Sequence, residues 1–589
     1  MMVILRRKCM KSGTLYLFVI MIFGALTMHA QNKSASNLGD ALVGYWKLQG
    51  DCRDYSGKGN HGINHGVNLK TSQFDGRAAY IEVPDNPTLN LEKDDFSICA
   101  WVYTQQDMED VIGDVLSKYD AAKRKGFNLS IKSSSGGYPS QGNDKHVYFG
   151  IDNVTLSDWE DCGHPNPESN YASSTVVYRG NLYAAAFGAK DPADWAHVYR
   201  FEGGKKWVDC GRLGNSKTTG VGPMIVHDGN LYATTGTYDW TRVKEGGYDF
   251  GRVYRYEGGT KWTDCGQPGD NLRLPTMASF QGKLYVGGGN ERSGIFVYEG
   301  GQTWGVSKEF PVETPRRLFP HAMGVHDGKL FVGFPADVYT FDGNKWTYAG
   351  NPVGSTQVHS LEVYQGNLYA GTWPEAKIGR YLGGEDWEYC GRVGEDGTEV
   401  NALTVYNGKF YAGSIPRAEA CRYEGSESWT LLRRFFSPPD WKPVPVSSPL
   451  PDAREQLKQW TRLTSLTAYK GKLFATIASC TSSELDAPID VRGKIFSIEA
   501  GKCVSYDDDL GSGWKHLSAV REGDRLKLYV DGRLVATSTS FRPADYDLSN
   551  DQPLRIGFGE MDYFSGMIKE VRIYRKALNQ YEISELSRK

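Results

Sequence analysis

From about residue 41 to its end, the chain alternates apolar and polar positions in short runs separated by Gly-bearing turns. Period-two alternation of that length predicts half-buried strands joined by tight turns. The pattern also recurs at long range. An aromatic residue or His, any residue, Gly, then Asn or Lys and an apolar run occurs seven times, from Tyr178-Arg-Gly-Asn-Leu-Tyr-Ala to Tyr469-Lys-Gly-Lys-Leu-Phe-Ala. The repeat glycines are Gly180, Gly229, Gly282, Gly328, Gly366, Gly408 and Gly471, at intervals of 38 to 63 residues. Each marks a hairpin in which the Gly and the Asn or Lys after it supply backbone freedom. A second strand pair follows each hairpin, closing on Trp207, Trp262, Trp304, Trp346, Trp387 and Trp429 in turn.

Four strands repeated seven times predict a β-propeller. The seventh unit, at Lys494-Ile-Phe-Ser-Ile, has no late Trp and carries Cys503 near that place. An orphan segment, Leu156 to Gly163 with Trp159, precedes the first repeat. If it supplies the missing outer strand, both ends of the array close the ring and no sheet edge is left open. The blades resemble those of kelch-type propellers, and that resemblance also implies a protein-interaction scaffold as one function.

Residues 41–153 and 505–589 carry other motifs. Ala41-Leu-Val-Gly-Tyr-Trp, Phe74-Asp-Gly-Arg-Ala-Ala-Tyr-Ile-Glu-Val and Phe96-Ser-Ile-Cys-Ala-Trp-Val lie before the repeats. Leu526-Lys-Leu-Tyr-Val-Asp-Gly and Phe564-Ser-Gly-Met-Ile-Lys-Glu-Val-Arg-Ile-Tyr lie after them. These resemble the opening and closing strands of the LamG-like, concanavalin A-like jelly-roll family. The expected fold is all-β, a seven-bladed propeller (154–504) inserted into a concanavalin-like β-sandwich (41–153 and 505–589). Two linkers would hold the domains together and favour one composite binding surface. The family resemblance implies contact with glycans or proteins and, in some members, calcium. Asp54, Asn60, Glu560 and Asp562 are the oxygen ligands such an ion would use; the Asp54–Asn60 segment also reads as a turn-rich loop. No other cofactor is called for. The paired-Glu signature of catalytic jelly rolls is not evident, so catalysis is not assigned to this domain.

Composition changes the picture in three places. Basic residues Arg6 to Lys11, an apolar run Leu15 to Leu26 and the small Ala30 form the layout of a secretory signal over 1–30. The expected location is therefore periplasmic, cell-surface or extracellular, and the mature chain is not an integral membrane protein. A net charge of −3 with no basic stripe gives no reason to expect nucleic acid. Four cysteines, Cys162, Cys210, Cys265 and Cys390, recur within Trp-x-x-Cys-Gly, so they read as small buried residues of separate blades, with few or no disulfides expected.

Candidate chemistry comes from aligning the repeats. Seven positions before each Gly, at the start of the innermost strand, stand Ser173, Gly222, Pro275, His321, His359, Asn401 and Thr464. That column would bring His321, His359 and Asn401 together at one mouth of the channel. Arg316, Arg317, Trp373, Arg417 and Trp240 lie on segments feeding the same rim, as does a Pro-rich insertion, 437–461. Aromatic faces suit sugar rings, and Arg suits carboxylate or sulfate. Two readings follow: an exported protein binding an extracellular, acidic polysaccharide, or a lyase or glycoside hydrolase using His321 or His359 as acid or base. Polar residues at such a mouth also serve simply to hydrate the channel.

Overall fold

The computed structural model describes residues 38–588, apart from 108–109, 134–139, 189–190, 239–242, 290–293, 308–318, 438–460 and 480–490. Residues 1–30, expected to form a secretory signal, lie outside the described residues. The fold is all-β, a seven-bladed propeller inserted into a two-sheet sandwich.

Each sandwich sheet has seven strands drawn from both ends of the chain. In one sheet, Phe96–Thr104 lies between Ser565–Tyr574 and Gly513–Glu522; in the other, Leu554–Ile556 lies between Tyr80–Val83 and Gly113–Asp120. The alternating apolar positions of both sheets meet in one core that includes Trp46, Phe74, Phe96, Phe127, Phe149 and Phe564. Neither flank could bury that face alone. The propeller enters between two adjacent strands, His146–Leu156 and Ala500–Tyr506, which pair with Phe149 opposite Val504 and Leu156 opposite Ala500. Residues 154–156 and 500–504, expected in the propeller, thus belong to the sandwich. Cys503 sits in this sheet, not at the outer edge of a blade.

Among the described residues the ring contains seven four-stranded blades. Blade seven takes its outer strand from the front of the array: Glu160–Asp161 pairs with Ile495–Ile498, Phe496 opposite Asp161. The Trp-x-x-Cys-Gly repeat latches neighbouring blades at their outer rim. Trp207 Nε1 donates to the Cys162 carbonyl at 2.9 Å, Trp262 to Cys210 at 2.9 Å, Trp304 to Cys265 at 2.8 Å and Trp429 to Cys390 at 3.0 Å. The Gly after each Cys has positive φ and lies against the next blade's backbone; a Cβ on Gly391 would come within 2.1 Å of the Glu427 carbonyl oxygen. Cys52, Cys99, Cys162, Cys210, Cys265, Cys390, Cys421 and Cys503 are all free thiols.

The repeat glycines do a second job. In each hairpin the two turn residues are the Gly and the residue before it, both at positive φ, as in Arg179-Gly180 and Asn407-Gly408. The Asn or Lys that follows opens the second strand rather than shaping the turn. These turns line the face of the propeller that the sandwich covers. Gly180 N–H donates to the Asp507 carbonyl at 2.7 Å, Asp228 N–H to Asn143 Oδ1 at 2.9 Å, Asp327 N–H to Asp110 Oδ1 at 3.2 Å and Lys470 N–H to Asp507 Oδ2 at 2.9 Å. Asn407 Nδ2 reaches the Ala500 carbonyl at 2.8 Å, and Lys132 Nζ meets Glu362 at 2.6 Å. The sandwich therefore covers one end of the channel, and the composite surface expected from the linkers is an internal one.

Candidate functional site

The other end of the channel is where the innermost strands begin, about 20 Å from the sandwich at ~3.3 Å per residue over six residues. Repeat alignment places the seven column residues there, and the strand pairings explain how they are aimed. In six blades the register between the first two strands slips at the column residue, as between Val358 and Ser360 or Val400 and Ala402. A bulge adds one residue and redirects its side chain. His359 and Asn401 are such residues.

The column splits by chemistry. Ser173 and Thr464 turn sideways and tie blades together: Ser173 Oγ donates to the Val221 carbonyl at 3.0 Å, and Thr464 Oγ1 to the Ala172 carbonyl at 2.8 Å. His321 and His359 stand as a pair, with ring centres 4.5 Å apart. His359 Nε2 donates to Gln357 Oε1 at 2.7 Å. Its Nδ1 lies 3.1 Å from Glu399 Oε1 without a hydrogen bond's alignment. Asn401 Nδ2 donates to the same Glu399 oxygen at 2.5 Å, which fixes the carboxylate under the ring. No hydrogen bond to the half-buried His321 ring occurs among the described residues; it packs against Phe319, with centres 4.5 Å apart.

Burial governs the electrostatics. It pushes His359 down to about 3, with the cationic Arg462 and Arg273 adding to the effect. Burial also holds His321 well below the usual imidazole range, reinforced by His359 and Arg273 and opposed by Glu399. Both rings are therefore neutral at pH 7. Arg273 lies over Phe319 at 4.6 Å and beside Tyr238 at 5.9 Å. From Tyr238 an aromatic stack continues through Phe187 to Tyr171, with centre spacings of 4.9 and 4.5 Å. Tyr171 and Tyr238, at its ends, are half-buried.

Of the other residues expected at the rim, half-buried Trp373 pairs across from Gln357 at the same end of blade five. Arg417 is held by Asp396 at 2.8 Å. Arg316, Arg317, Trp240 and residues 438–460 of the Pro-rich insertion lie outside the described residues. Arg273, Phe319, Gln357, Glu399, Arg462 and Tyr171 were missed. All of them stand two positions before the column. Alternate residues of a strand share a face, so the same alignment shifted by two would have found them.

Of the four residues considered for calcium, Asp54, Asn60 and Glu560 are engaged within the protein. Asp54 organises a turn, accepting from the N–H groups of Tyr45, Ser56 and Asn60 at 2.8 to 3.0 Å, and Asn60 Nδ2 donates to the Val43 carbonyl at 2.7 Å. Glu560 is buried at the domain interface, where Gln365 of blade five donates to it. Asp562 belongs to a different cluster, taken up below.

Residues 457–584 match the model of the concanavalin A-like lectin/glucanases superfamily. The match covers the last blade and the second part of the sandwich; the first part lies upstream of the inserted propeller. No curated protein matches the chain. Among solved structures, the chain is similar to the extracellular domain of a hybrid two-component system from B. thetaiotaomicron, at 13% identity and a TM-score of 0.39, covering 58% of this chain and 39% of that one. This chain thus spans well under half of that domain's length. It is also similar to streptogramin B lyase, at 10% identity and a TM-score of 0.41, covering 59% of this chain and 98% of that one. Virginiamycin B lyase from Staphylococcus aureus gives 13% identity and a TM-score of 0.34, covering 55% of this chain and 96% of that one.

Proposed function

We propose that this protein is an exported glycan-recognition protein whose ligand, an acidic polysaccharide, sits at the open mouth of the propeller. The observation that carries this reading is the arc formed by the Tyr171–Phe187–Tyr238 stack, Arg273 and the paired imidazoles. Aromatic surfaces suit the apolar faces of sugar rings, and a guanidinium between them suits a carboxylate or sulfate. The family model matched by the sandwich is one of lectins and glucanases, which also supports sugar recognition. The test is retention and calorimetry on a panel of neutral, uronic-acid and sulfated polysaccharides. Expected is binding to an acidic member that weakens with salt and falls about tenfold or more in Arg273→Ala, which removes a charge-assisted contact. Failure to bind any glycan would overturn the reading and favour a protein-interaction scaffold.

One observation favours a catalytic version. His321 combines a neutral imidazole, no hydrogen bond to its ring among the described residues and a neighbouring Arg273. In a lyase, such a ring would take the proton α to a uronate carboxylate while the guanidinium steadies the developing charge; the electron pair then forms the C4–C5 double bond as the C4–O glycosidic bond breaks, and the departing oxygen takes a proton from solvent. Absorbance of the unsaturated product would report it, and its loss in His321→Gln even at saturating polysaccharide would assign the base.

A further inference from the structure

A second unassigned cluster lies at the covered end, where blade four meets the sandwich. Asp110 precedes the sandwich strand Gly113–Asp120, Asp562 lies just before Ser565–Tyr574, and His326 ends the blade-four strand Ala322–His326. One ligand atom from each lies within 4.8 Å of the other two. Asp562 is completely buried, and its Oδ2 has no hydrogen-bond partner among the described residues; neither has His326 Nδ1. Backbone amides hold the carboxylates in place. Tyr563 N–H donates to Asp562 Oδ1 at 2.7 Å, and the Val111 and Asp327 N–H groups donate to Asp110 Oδ1 at 2.9 and 3.2 Å. The neighbouring Arg77 is engaged by Asp327 at 2.8 Å. Two carboxylates buried beside an unengaged imidazole lone pair are costly unless a positive charge joins them.

We propose that Asp110, Asp562 and His326 form a site for a divalent first-row transition ion, of the class of Zn²⁺ or Mn²⁺, that ties the propeller to the sandwich. Two carboxylates with one imidazole suit such ions, whereas Ca²⁺ and Mg²⁺ take oxygen ligands. Asp110 also lines a polar cleft with Gln105 and Asp107, from which solvent can complete the coordination. Two ligands come from the sandwich and one from blade four, so the ion stabilises the docked arrangement by binding it alone. This site is separate from the mouth and independent of any glycan.

The test uses full-length protein stripped with chelator and dialysed, then titrated with ZnCl₂ and separately with MnCl₂. Calorimetry should show one ion bound per chain, and the melting temperature should rise with metal concentration. His326→Gln and Asp562→Asn should each weaken binding by about 100-fold or more, beyond the loss typical of residues that merely support a ligand. A second sign separates a metal site from a structural contact. Without metal, Asp562→Asn should melt above the wild type because it relieves the burial of two crowded carboxyl groups; with metal, it should lose the wild type's gain. Absence of binding to the stripped wild type would overturn the proposal, as would undiminished binding in both variants. If Asp562→Asn fails to fold, His326→Gln decides, since that residue is only half-buried.

Discussion

The two ends of the propeller channel are built from the same fourteen strands, yet they are put together on opposite principles. At the sandwich end every inner hairpin ends in the same kind of turn, a residue of positive φ followed by Gly, and the turns are met by backbone and side-chain partners from the other domain. At the mouth the equivalent positions differ from blade to blade, and the polar groups there face one another more than they face a partner domain. Uniform positions hold the assembly together; varied ones are free to specialise. That contrast is the physical ground for placing function at the mouth.

The sharpest way to break the comparison is to put a methyl group on a turn. Gly471 has positive φ, and a Cβ there would lie 2.1 Å from the Cys503 carbonyl oxygen, whereas Gly180 has the same φ with open space around it. Gly471→Ala should cost about 3 kcal/mol or more, combining backbone strain with overpacking, and Gly180→Ala only about 1 kcal/mol. Denaturant unfolding measures both. Equal losses would mean that the sandwich does not press on the turns.

A second effect, gradual with pH, separates the mouth. The unfolded imidazole of His359 takes up a proton near 6.5, and the folded one only near 3. The folded pKa is depressed, so the contribution of the neutral ring is present above ~6.5 and is lost as pH falls from there through about 3. Wild type should lose stability relative to His359→Gln across that window, by up to about 1.4 kcal/mol per pH unit. Parallel stability curves for the two proteins would place the ring in contact with water. Smaller still is the outer latch. Trp429→Phe removes the Nε1 bond to the Cys390 carbonyl and should cost about 1 kcal/mol, with thermal unfolding as the readout.

Much of this architecture was legible from residues alone, and the reasons differ by region. The seven Gly turns and the late Trp residues recur because each blade needs the same turn and latch, so the ring and its closure through Glu160–Asp161 could be read from the repeat. The junction with the sandwich could not. Leu156 and Ala500 continue strands without any turn residue to mark where one domain stops. His321, His359 and Asn401 came together in the sequence because each stands seven positions before the Gly of its blade. Glu399 and Arg273 were passed over because the alignment was read at one position instead of along one face. The match between Asp110, Asp562 and His326 had no local signature, since it joins residues from two domains.

Ligand recognition is expected at the mouth and not at the sandwich-covered end. Calorimetry of an acidic polysaccharide against wild type, Arg273→Ala, His321→Gln and an interface variant, Lys132→Met, tests it directly. The two mouth variants should bind about tenfold more weakly or worse, while Lys132→Met, which breaks the pair with Glu362, should bind as the wild type does. Normal binding by both mouth variants, with loss confined to Lys132→Met, would contradict it.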